Sequence, residues 1–250
     1  MRELGGVRPA TRSPRQIAAV ILAAAAAWVA VVALARGSAA AMGPTMGLPL
    51  VAFLGAWALM MAAMMLPAIA PVASLYVRAM GARRGRRLAG FGLGYLLVWT
   101  LVGIPAFGVA LTLDALARAA PAAGRWGVVA ILVALAAYQL TPLKQLCLRH
   151  CRSPLSQLLR YAGYRGGLRD LRVGAHHGLY CAGCCWPLTL LLVAVGTMNL
   201  GVMLALTVVV LGEKLLPRGD VVAYGVALVA VGAAVLFAVS PAAFARVVGA

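Results

Sequence analysis

The chain has 250 residues, 64% of them hydrophobic and only 11% charged, with a mean hydropathy of +0.98. A soluble domain carries about 25% charged residues, so this composition suits a bilayer and leaves no length for a second, soluble domain. The net charge of +17 does not point to a nucleic-acid partner, because the basic residues sit between apolar runs and not along one face.

A basic arm over 1–16, with Arg2, Arg8, Arg12 and Arg15, precedes an apolar run over 17–35. The run is longer than the roughly 7–15 residues of a secretion-signal core, so it reads as a retained first span, a signal anchor. Ala33-Leu34-Ala35 keeps a cleavable signal peptide open as the alternative. The second span is expected over Leu48–Pro67, with Pro71 ending or kinking it, and the third over Leu88–Leu113 around Pro105. The fourth is expected over Trp126–Pro142 and the fifth over Gly178–Thr197, with Pro187 inside it. Asn199 and Gly201 turn the chain into a sixth span over Leu200–Leu216, and a last one covers Val221–Val239, stopped by Ser240-Pro241. The expectation is an all-α fold, a polytopic transmembrane helix bundle of about seven spans. Residues 48–239 form its helical membrane domain of about six spans, with a basic loop over 144–173.

Charge sets the expected orientation. With the N-terminus inside, 18 of the 22 Lys and Arg residues fall on inner segments, leaving only Arg36, Arg118, Arg125 and Arg246 outside. Cytoplasmic loops carry such an excess, so the N-terminus is expected in and the C-terminus out.

All five cysteines fall in two blocks, Cys147-Leu-Arg-His150-Cys151 and Cys181-Ala-Gly-Cys184-Cys185. On helices, Cys147 and Cys151 share a face at i,i+4, and His177, Cys181, Cys184 and Cys185 follow one face at i, i+4, i+7, i+8. Both blocks are expected at the cytoplasmic ends of neighbouring spans, so up to five thiols and His150 or His177 can converge. Three readings stand: apolar packing, a redox pair at Cys181 and Cys184, or a metal site. A structural disulfide is disfavoured in a reducing compartment. Clustered thiolates with few carboxylates select Cu(I), zinc or iron–sulfur, and the usual ferredoxin spacings are absent. In the second span Met60, Met61, Met64 and Met65 form two i,i+4 pairs. Thioethers bind Cu(I) and are poor zinc ligands, which makes Met61 and Met65 candidate ligands beside the plainer reading of adaptable packing.

Polar residues inside spans are costly and functional by default, which singles out Glu213 and Lys214, unless both snorkel to the interface. Gln139, Thr141 and Lys144 bracket Pro142, where they satisfy freed backbone groups or line a polar cavity beside the cysteines.

The segments Trp57–Pro67, Tyr138–Pro154 and Gly178–Asn199, with the Glu213-Lys214 pair, resemble the prokaryotic family of predicted metal-binding integral membrane proteins, a domain of unknown function. The resemblance covers roughly Leu48 to Phe237 and implies an all-helical inner-membrane protein with a metal site, without supplying a reaction. No Walker loop, nucleophile elbow or HExxH motif accompanies it, so binding is expected and catalysis is not. The leading expectation is a membrane protein that binds a soft metal, Cu(I) ahead of zinc, for metal handling, transport or metalloprotein assembly. Its ligands would be Cys147, Cys151, Cys181, Cys184 and Cys185, supplemented by His150, His177, Met61 and Met65. Expected partners are the lipid bilayer and another membrane protein or metalloprotein. A thiol-disulfide redox protein and a structural partner subunit are the alternatives.

Overall fold

The computed structural model describes residues 14–37, 44–79 and 83–248, so most of the basic arm over 1–16 lies outside the described residues. Within them the helices run in the order α1 (Pro14–Gly37), α2 (Leu50–Ala79), α3 (Arg84–Ala119), α4 (Pro121–Gln139) and α5 (Pro142–Arg152). Then follow α6 (Pro154–Ala162), α7 (Arg169–Val195), α8 (Leu200–Leu215), α9 (Gly219–Val239) and α10 (Pro241–Val248). No strand occurs among the described residues.

Six helices, α1, α2, α3, α4, α7 and α9, are long and apolar enough to cross a membrane. The expected sixth span is α8, whose 16 residues reach about 24 Å at 1.5 Å per residue, short of a hydrocarbon core of about 30 Å. Its polar end, Glu213-Lys214, is buried in the bundle. The outward faces are apolar: Leu22, Val29, Val51, Leu93, Leu228 and Val229 are all exposed. Polar side chains such as Gln139, Lys144, His177 and Glu213 lie inside. An apolar exterior of this extent calls for an apolar surrounding.

The bundle is tightest where small residues let backbones meet. α3 and α7 run parallel, with Gly90 beside Asp170 and Gly178 beside Tyr95. A Cβ at Gly94 would strike the Leu171 carbonyl, and one at Gly174 would strike that of Phe91. Such glycines permit close helix approach where burial alone gives little driving force. α2 locks onto α3 through the Trp57 indole, which donates from Nε1 to the Trp99 carbonyl at 2.9 Å. α1 packs on α2, and α4 packs on α9.

Two differences from the sequence reading position the site. α7 starts at Arg169, nine residues before the expected Gly178, because its polar opening turns continue the helix along α3. The 144–173 segment is also more helical than a loop. Pro142 ends α4's course, Thr141 caps a new helix by accepting from the Lys144 N–H at 3.2 Å, and α5 then crosses α7 and α8.

Candidate metal centre

The site forms where α5, α7 and α8 meet, with α3 and α4 contributing from the sides. Pro187 is the local cause. It has no N–H to give to the carbonyl four residues earlier, that of Gly183, and its ring crowds the turn that carries Cys184 and Cys185. The Tyr138 hydroxyl of α4 donates to the Gly183 carbonyl at 2.6 Å, and the Lys144 ammonium of α5 donates to the Cys184 carbonyl at 2.7 Å. Side chains from α4 and α5 thus bond to the backbone around the cysteine block, which fixes α5 against α7.

All five cysteines are buried and free. The Cys184 sulfur lies 3.2 Å from that of Cys185 and 4.0 Å from that of Cys151. The Cys181 thiol interacts with those of Cys151, Cys184 and Cys185. Two thiolates on one ion, each bonded at about 2.3 Å, stand roughly 4 Å apart, so the Cys151–Cys184 separation suits a shared thiophilic ion. Cys147 sits one turn up α5 against Gly183, where an added Cβ would come within 2.9 Å of its sulfur. Among the described residues no three His, Cys, Asp or Glu side chains form a preset cage, so the thiols are gathered without being closed around a point.

The charges around the thiols are ordered. Lys144, fully buried, also pairs with the fully buried Glu213 carboxylate at 2.6 Å, and Gln139 donates to the other carboxylate oxygen at 2.9 Å. Glu213 is therefore already engaged and is a poor candidate for a metal. The neighbouring Lys214 donates to the Cys181 sulfur at 2.7 Å, and the Tyr95 hydroxyl of α3 lies 2.9 Å from the same sulfur. A buried ammonium beside a thiol has at hand the counter-ion that a thiolate, the metal-binding form, requires.

The other expected ligands have packing or hydrogen-bond partners of their own. His150 turns away from Cys147 and Cys151 and stacks on Tyr180, ring centres 3.6 Å apart, with His176 at 5.5 Å. Position 150 is one step off the face that Cys147 and Cys151 share, and the aromatic rings of α7 take it up. Burial, then His176 and Arg160, lowers the His150 pKa from 6.5 to about 4. His177 is buried with its Nδ1 2.9 Å from the Gln157 side-chain oxygen, next to Tyr161. Met61 and Met65 are fully buried in α2 together with Met60 and Met64, and pack in the apolar core.

A cleft of about 600 Å³ reaches the thiols between α1, α2, α5 and α8. Cys151, Arg152 and Lys214 line one side of it, and Pro67, Pro71 and Arg78 line the other. Cys151 and Lys214 are each 7% exposed, so the site is buried yet touches this opening. The sequence singled out the cysteines, Glu213 and Lys214. It gave no signal for Tyr95 and marked Tyr138 only as the start of a family-like segment; both reach the site through helix packing.

Among the described residues the donor set is soft sulfur with its one nearby carboxylate, Glu213, already engaged, which fits a thiophilic ion better than calcium or magnesium. Residues 54–237 match the PpoB2 family, described as a copper chaperone. No curated protein and no solved structure matches the chain.

Proposed function

The chain belongs to the PpoB2 copper chaperone family, and we propose that it is a multi-pass membrane protein that carries Cu(I) as cargo on its buried thiols. Cys151 and Cys184 are the principal ligands, with Cys181, Cys185 and Cys147 beside them for ligand exchange. The observation that carries this reading is the meeting of four thiols with a buried ammonium, Lys214, which no carboxylate among the described residues neutralises as Glu213 neutralises Lys144.

Charge balance supports it. Lys144 and Glu213 cancel, leaving Lys214 to be offset by the site. Two thiolates around Cu(I), or three around Zn(II), carry one net negative charge and so match Lys214. The family favours copper.

The charge distribution supports seven spans, α8 included, with the N-terminus inside. That orientation places the cleft beside Cys151 on the cytoplasmic side, so cargo enters by thiolate exchange from that face. Residues 17–35 act as a retained first span, and the recipient is another membrane protein or metalloprotein.

Anaerobic titration with Cu(I) against a competing chelator tests this reading, comparing wild type with the Cys151→Ser/Cys184→Ser variant. Wild type is expected to bind about one Cu(I) per chain and the variant at least about 100-fold more weakly. Equal binding by the two overturns it.

A further inference from the structure

A second polar cleft, of about 370 Å³, opens at the start of α3 and α7. Its lining includes Arg83, Arg86 and Arg87 from one segment and Arg165 and Arg169 from another, with Asp170 as the sole carboxylate among its lining residues. Asp170 is already engaged: it lies 3.7 Å from Arg87 and accepts from the Tyr76 hydroxyl at 2.6 Å. Arg169 and Cys181 stand twelve positions apart on one helix, about 18 Å, so this cleft is distinct from the thiol site.

A topology signal requires only that positive charge stay on inner segments; it does not require two distant segments to gather guanidinium groups around one concavity. That gathering is built in, because Gly90, Gly94 and Gly174 hold α3 and α7 in contact and bring their starts side by side. Gly166, at φ 93°, turns the chain between Arg165 and Arg169. Asp170 answers Arg87, and with Arg83, Arg86 and Arg165 also lining it the concavity keeps a net positive charge that favours an anion. Guanidinium forks match phosphate oxygens bidentately, and a cleft of this size admits a phosphate group.

We propose that this arginine cleft is a binding site for a phosphate-bearing anion. The phosphate belongs to an anionic phospholipid headgroup or to a soluble phosphate, and the two share the chemistry that the cleft recognises. Either ligand ties α3 to α7 at the end remote from Pro187.

Native mass spectrometry of the purified full chain in detergent tests the site. The probes are phosphatidylglycerol, phosphatidylcholine and inorganic phosphate, added separately. The variants are Arg83→Gln/Arg86→Gln/Arg165→Gln, all exposed positions, and a charge-matched control, Arg149→Gln/Arg172→Gln/Arg218→Gln, exposed elsewhere. Wild type and control are expected to retain one phosphatidylglycerol or one phosphate at least about tenfold above phosphatidylcholine, and the cleft variant is expected to lose that excess. Retention of phosphatidylglycerol alone assigns the lipid; retention of phosphate as well assigns the soluble source. Equal retention of all probes, or an equal loss in the control, overturns the proposal.

Discussion

The Lys214 ammonium donates to the Cys181 sulfur at 2.7 Å, while the second buried lysine, Lys144, is matched by Glu213 at 2.6 Å. One lysine is thus paired by a carboxylate and the other by a cysteine. The site holds a single positive charge whose partner depends on what the thiols carry.

Replacing Lys214 with Met removes that charge and is expected to weaken Cu(I) binding about tenfold, within the range of changes next to metal ligands. Lys214→Arg should recover most of the loss. Chelator competition reads the affinity, and circular dichroism checks that helix content is unchanged. Full affinity in Lys214→Met would show that the ammonium plays no part.

The Lys144–Glu213 pair has 0% exposure on both sides. Breaking a buried pair leaves an uncompensated charge and costs about 3–5 kcal/mol, whereas replacing both partners with apolar groups is often neutral. Glu213→Gln should therefore unfold at markedly lower denaturant, and Lys144→Met/Glu213→Leu should recover much of the loss. A double variant less stable than the single would sink this account.

Tyr138 and Pro187 are expected to be coupled, because the tyrosine serves the carbonyl that the proline leaves without a helical donor. Tyr138→Phe should cost about 1 kcal/mol, the loss of a part-buried hydrogen bond. In a Pro187→Ala background the helix regains its own N–H and the same change should cost clearly less. A double-mutant cycle by denaturant unfolding measures the difference, and strict additivity refutes the link.

His150 gives a pH signature separate from copper. Its folded pKa of about 4 lies below its ordinary 6.5, so between these values the unfolded chain binds a proton that the fold refuses. Its contribution to stability is therefore complete above pH 6.5 and declines as pH falls toward 4. His150→Gln should flatten that part of the stability profile while leaving Cu(I) affinity within about twofold. A large loss of affinity would restore His150 to the ligand set.

Much of the bundle was legible because apolar runs of 17 to 26 residues leave few alternatives to spanning helices. On α7 the common face of Cys181, Cys184 and Cys185 follows from local spacing alone. α5 and α6 were not legible, because short polar helices are ordered by what they pack on and carry little periodic signal. The packing of His150 was hidden for the same reason. One step of 100° on α5 separates it from Cys151, and only the rings on α7 decide which way it faces. Tyr95 and Tyr138 act across interfaces that no single segment encodes. The family resemblance read from the Met-Met-x-Pro and cysteine segments agrees in kind with the metal-related family found over 54–237.

The proline in α7 has a consequence for biogenesis. The turn that carries Cys184 is bonded by Tyr138 and Lys144, and Lys144 is in turn held by Glu213. Segments from α4, α5, α7 and α8 must all be inserted before the thiols share one pocket. If the thiols carry copper as proposed, a half-made chain presents scattered sulfurs and little affinity, so competence to take the metal would itself report that assembly is finished.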